Sequence, residues 1–108
     1  MMTQAEFGNL KARIYNDIEY ENLEFVLDKY ANAKDISIGR NVNGRVFVEF
    51  KSDSMMLDKI FRDYFYDEFL DLYDKGLITE EEQDELCDNR STFFYITYLA
   101  NGYYNVIF

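Results

Sequence analysis

The chain of 108 residues contains no histidine and a single cysteine, Cys87. Without histidine it lacks the commonest general acid and base, the commonest transition-metal ligand and every Ser–His or Cys–His nucleophile pair. A lone cysteine cannot close an intramolecular disulfide, which fits a reducing compartment, and without histidine it cannot complete the usual zinc ligand sets. Proline is absent too, and no Ser/Gly-rich linker or repeat divides the chain, so residues 1–108 read as one domain. No apolar run approaches the ~18 residues of a membrane helix, and the N-terminus lacks a basic region followed by an apolar stretch. A cytoplasmic protein is the expectation. Basic residues are scarce, 11 Lys and Arg against 21 Asp and Glu, for a net charge of −10. That balance argues against direct contact with nucleic acid or an anionic membrane, both of which are bound by neutralising negative charge.

What the chain does hold is apolar and acidic. Hydrophobic residues make up 48%, with ten Phe and ten Tyr, enough for a globular core and too many for a disordered tail. The acidity is local: between Asp58 and Asp88 twelve acidic residues face three basic ones, Lys59, Arg62 and Lys75. A folded surface with one strongly negative face is suited to a basic partner.

Thr3-Gln4-Ala5-Glu6 has the form of a capping box, followed by Phe7, Leu10, Ile14 and Ile18 at helical spacing. Leu23, Val26, Leu27 and Tyr30 form a second apolar cluster centred roughly 165° away on the same wheel. A break near Tyr20–Asn22 follows, giving two short helices. Asn43-Gly44 between Ile36-Ser37-Ile38 and Val46–Phe50 predicts a hairpin with a type I′ turn, with Val46, Val48 and Phe50 facing one side. Ser52-Asp53-Ser54 can cap a long helix running to about Lys75 and stopped by Gly76. Thr79 and Glu82 predict a second capping box opening a short helix to about Asp88. The run from Thr92 to Leu99, then Asn101-Gly102 and Tyr103–Phe108, predicts a second hairpin, with a helix over 92–100 as the alternative. The sum is an α+β domain: N-terminal helices, a hairpin, a long acidic helix plus a short one, and a C-terminal hairpin, with one antiparallel sheet covered by helices. The aromatic residues of the final hairpin exceed what one strand face can bury. The expectation is a sheet covered on both faces; otherwise this hairpin is a dimer seam or a partner surface.

The candidate site is an acidic ridge. Asp63, Asp67, Asp71 and Asp74 fall within about 80° of one another on the long helix, and residues four apart rise about 6 Å along its axis. That spacing is of the same scale as the phosphates of a duplex strand, one per ~3.4 Å of axis. Glu81 and Glu85 would extend the field onto the next helix. Solvation of exposed helix faces is the plain alternative, but like charges at i,i+4 disfavour a helix and few lysines are interleaved. Asp71 to Glu82 also resembles a twelve-residue calcium loop, with Gly76 and Ile78 in register. Tyr73 and Lys75 stand where two ligands should be, and Gly76 and Thr79 explain the same letters as a helix stop and a cap. No metal or other cofactor is expected, and the many Asp–Glu pairs carry no glycosidase signal beyond their number.

In size, charge and layout the whole chain resembles the small phage and mobile-element inhibitors of bacterial defence, the anti-CRISPR proteins and antirestriction DNA mimics. The resemblance rests on no diagnostic motif. It implies a non-enzymatic inhibitor in the host bacterial cytoplasm whose partner is a basic nucleic-acid-binding protein, a CRISPR effector nuclease or a restriction enzyme. The partner-binding residues would be Asp63, Asp67, Asp71, Asp74, Glu81 and Glu85. An immunity protein neutralising a basic toxin, or an acidic scaffold or calcium-responsive module, is the alternative. Monomer and homodimer both remain open.

Overall fold

The computed structural model describes residues 2–108. Helix α1 (Gln4–Ile14) opens on Thr3, whose hydroxyl accepts from Glu6 N–H while the Glu6 carboxylate returns to Thr3 N–H, the predicted capping box. A 3₁₀ turn at Tyr15–Asp17 and an extended break precede α2 (Leu23–Ala31). Tyr20 and Asn22 sit in this break at φ +54° and +60°, and the switch in direction lets α1 and α2 each bury its own stripe, Leu10 and Ile14 on one and Leu23, Leu27 and Ala31 on the other.

Strands β1 (Lys34–Arg40) and β2 (Val46–Lys51) form the first hairpin. Its turn differs from the expected one. Gly44, at φ +78°, is the one loop residue with positive φ, Gly44 N–H donates to the Asn41 carbonyl, and Asn41 N–H donates to the Arg45 carbonyl. This is a three-residue loop with a glycine bulge rather than a two-residue type I′ turn. The Asn41 side chain decides it, accepting from both Asn43 N–H and Arg45 N–H. The type I′ geometry occurs instead in the second hairpin, β3 (Tyr95–Ala100) and β4 (Tyr103–Ile107), where Asn101 and Gly102 both have positive φ, +54° and +84°. A 3₁₀ turn at Arg90–Phe93 takes the first residues expected of that strand, and no helix spans 92–100.

The long helix α3 (Leu57–Asp74) starts later than expected, on Met56 and without a side-chain cap. Ser52 is diverted: its hydroxyl donates to the Ala31 carbonyl at 2.6 Å and accepts from Ser54 N–H, while Ser54 accepts from Met56 N–H. The serines therefore tie the end of β2 to α2 and shape the turn ahead of the helix. Its end is as predicted. Gly76, at φ +75°, lets Leu77 N–H reach the Leu72 carbonyl and Gly76 N–H reach that of Tyr73. Helix α4 (Glu80–Asp88) opens on the Thr79/Glu82 capping box. Among the described residues no helix is long and apolar enough to cross a membrane.

The four strands form one antiparallel sheet in the order β1-β2-β4-β3. Val46, Val48 and Phe50 share the buried face, as expected, with Val106 and Phe108 beside them. Helices α1–α3 bury that face, and the core centres on Phe65 of α3, whose ring lies 5.7–6.2 Å from those of Tyr20, Phe69, Phe93, Phe94 and Phe108. The opposite face has no such cover, contrary to expectation: Tyr95 is 71% exposed and Ile107 36%. The helices' apolar stripes all point to one core, so none is left to cover a second sheet face.

Candidate functional site

The ridge on α3 is exposed along its length, but it is not a bare ladder of charge. Lys59 pairs with Asp63 at 2.6 Å and Lys75 with Asp71 at 2.9 Å, each one turn away on the same helix. The third basic residue of the segment, Arg62, lies 2.7 Å from Asp58, although its Nε–H is not aimed at an acceptor. Asp67 and Asp74 form no ion pair among the described residues. On α4, Glu81 is exposed, whereas Glu85 is half-buried and accepts from Met2 N–H at 3.2 Å, turned toward the start of α1. The ends of the calcium-like stretch are engaged elsewhere: Asp71 with Lys75, and Glu82 with Thr79 N–H and, at 2.7 Å, Arg13.

The fold joins to the ridge a set of carboxylates that the helical wheel leaves out. The break between α1 and α2 brings Glu19 and Glu21 against Asp67, Glu68 and Asp71, and the five line an open concavity of about 260 Å³ floored by Val26 and Tyr64. Tyr64 fixes the geometry, since its hydroxyl donates to the Glu21 main-chain oxygen at 2.6 Å and so ties the break to α3. Glu68 falls between Phe61 and Tyr64 on the α3 wheel, in the sector that faces the core. A charged residue inside an apolar sector is the sequence signal that could have found it; no local signal marks Glu19 or Glu21.

Electrostatics in the concavity follow from this crowding. Burial raises the Glu68 pKa, and the charges of Asp71 and Glu21 push the same way against the Tyr64 hydroxyl. The hydrogen bond and charge of Glu19 raise that of Glu21. Burial likewise raises the Tyr64 hydroxyl. Because the folded Glu68 pKa lies above its unfolded value, folding is favoured when the carboxyl is protonated. That stability is present at acid pH and lost as pH rises through the folded pKa. Glu68→Gln is therefore expected to raise stability near pH 7 by about 0.5 kcal/mol after solvent screening, a gain of roughly 2–4 °C in Tm. The gain should vanish below the ordinary glutamate range near pH 4; melting curves from pH 3.5 to 7.5 check both limbs.

Such a site can do one thing well. Carboxylates held close together, short of cations, and anchored on a helix and a tyrosine are suited to receive guanidinium or ammonium groups. Compared with known proteins, the chain matches no family model, no curated protein and no solved structure.

Proposed function

We propose that this protein is a non-enzymatic inhibitor that docks its acidic face on the basic nucleic-acid-binding surface of a bacterial defence nuclease, in the manner of an anti-CRISPR or antirestriction protein acting in the host cytoplasm. One observation carries the reading: five carboxylates from two separate chain segments converge on a single concavity, and the neighbouring ridge adds Asp63 and Asp74. Solvation alone would spread acidic residues over exposed faces, whereas here Glu68 is drawn partly out of water beside four others. A nuclease groove lined with Lys and Arg to hold phosphates offers the complementary surface. Lys59 and Lys75 quieten two positions of the ladder, so docking centres on Asp67 and the concavity rather than on an even row of phosphate mimics.

The test is direct. The protein is titrated into a purified CRISPR effector loaded with guide and, separately, into a restriction endonuclease, and target-DNA binding is followed by fluorescence anisotropy. Competitive loss of DNA binding that weakens steeply between about 50 and 300 mM salt is expected. Unimpaired DNA binding by both enzyme classes at saturating protein would sink the proposal.

A further inference from the structure

On the other side of the same break lies a cavity of opposite character. Tyr20 points away from the carboxylates that flank it in sequence and walls a cavity of about 410 Å³ together with Lys11, Tyr15, Arg45, Phe93 and Phe108. That volume falls within the range of small-molecule sites. In a chain of net charge −10 its lining is anomalous, for it includes two cations and no Asp or Glu side chain. Four other surface cavities each have at least one carboxylate in the wall, among them Asp35, Asp63, Asp53 and Glu68.

We propose that this cavity binds a small organic phosphate carrying a planar ring, with the phosphate between Lys11 and Arg45 and the ring against Tyr20 and Phe93. Neither cation is paired with an Asp or Glu side chain among the described residues, although four other basic residues are. Lys11 Nζ instead donates to the Thr92 carbonyl at 3.1 Å and hydroxyl at 3.3 Å, and sits 4.6 Å from the Phe93 ring centre. Arg45 is fixed by Nε–H to the Phe108 main-chain oxygen and by its position 5.2 Å from the Tyr15 ring centre. With Nε–H so used, its four terminal N–H donors remain for a ligand. The two cations stand near enough that Arg45 adds to burial in lowering the Lys11 pKa, a mutual repulsion that a shared anion would relieve. The ring wall is held at a cost: Tyr20, a bulky residue, adopts φ +54° while its own ring packs 4.8 Å from that of Phe108. Backbone outliers of this kind concentrate where a side chain must be aimed at a ligand.

Nothing in this assignment depends on the acidic concavity, and its test uses the full chain without a protein partner. Adenosine monophosphate is titrated into ¹⁵N-labelled protein and followed by amide shifts, with ribose 5-phosphate (phosphate without the ring) and adenosine (ring without the phosphate) as parallel arms. Saturable shifts at Asn43, Gly44, Thr92 and Phe93 are expected, with at least tenfold tighter binding of the monophosphate than of either fragment. Lys11→Gln and Arg45→Gln should each weaken it about tenfold, while Lys51→Gln, on the uncovered sheet face, should leave it unchanged. Retained amide dispersion in the variants shows that they fold. Equal affinity for ribose 5-phosphate and the monophosphate would overturn the ring assignment. Shifts that fail to saturate at millimolar ligand, or that survive both cavity substitutions, would overturn the site.

Discussion

Replacing Phe65 with alanine is expected to cost about 3–5 kcal/mol, a large part of the 5–15 kcal/mol that holds a domain of this kind together. The expectation follows from position. Phe65 is fully buried, and the rings of Tyr20, Tyr64, Phe69, Phe93, Phe94 and Phe108 all lie within 6.2 Å of its own. Those six rings come from the α1–α2 break, from α3 itself, from the residues leading into β3 and from the residue following β4. Removing Phe65 thus leaves a void at the meeting point of helices and sheet, where relaxation in one element opens a gap against another. Urea unfolding followed by circular dichroism should show the midpoint falling sharply while the wild-type slope is kept. Tyr95→Ala on the uncovered face is the control, expected within about 0.5 kcal/mol of wild type. A Phe65→Ala loss of less than about 1 kcal/mol would mean that the aromatic cluster is not the centre of the fold.

The contrast between those two aromatics marks what could be read from the chain and what could not. Local chemistry was legible. Thr3 with Glu6, Gly76, and Thr79 with Glu82 set helix ends through groups only a few residues apart, and all three act as expected. Alternation correctly put Val46, Val48 and Phe50 on one face, and the α+β order of elements followed from these signals. Signals with two physical uses are ambiguous until the fold chooses between them. Ser52 can cap a helix or reach across to another element, and the Ala31 carbonyl took it; Asn43-Gly44 can form a two-residue turn, but the Asn41 side chain favoured a wider loop. The second sheet face stays open: aromatic content says how much could be buried, not whether another layer exists to bury it. The ridge was legible as a helical face, yet the residues that complete the concavity come from far along the chain. Glu21 meets Tyr64 across 43 positions, and only the packed fold creates that contact.

Reversing Asp67 and Glu68 to lysine is expected to weaken docking on a basic partner by about a hundredfold or more, because each reversal removes an attraction and leaves a partner cation facing a like charge. The choice of residues separates two forms of the proposed function. If an even ladder of carboxylates mimics a phosphate backbone, Asp63→Lys and Asp74→Lys should be nearly as damaging as Asp67→Lys. If the concavity is the centre, Asp67 and Glu68 dominate and Asp63, already paired with Lys59, matters least. Glu81→Lys on α4, outside the concavity, should change association rate and salt dependence more than affinity. The raised pKa values of Glu68 and Glu21 add a signature that solvation would not produce. An arriving cation stabilises the ionised form, so binding must release protons below neutrality and tighten as pH rises through the raised glutamate range. Glu68→Gln should flatten that pH dependence while the fold grows slightly more stable, a pairing of opposite effects on binding and stability. Calorimetric titrations in buffers of differing ionisation enthalpy measure the protons released. A binding constant indifferent to pH between 4 and 7, or to the Asp67 and Glu68 reversals, would assign the acidic face to solvation alone.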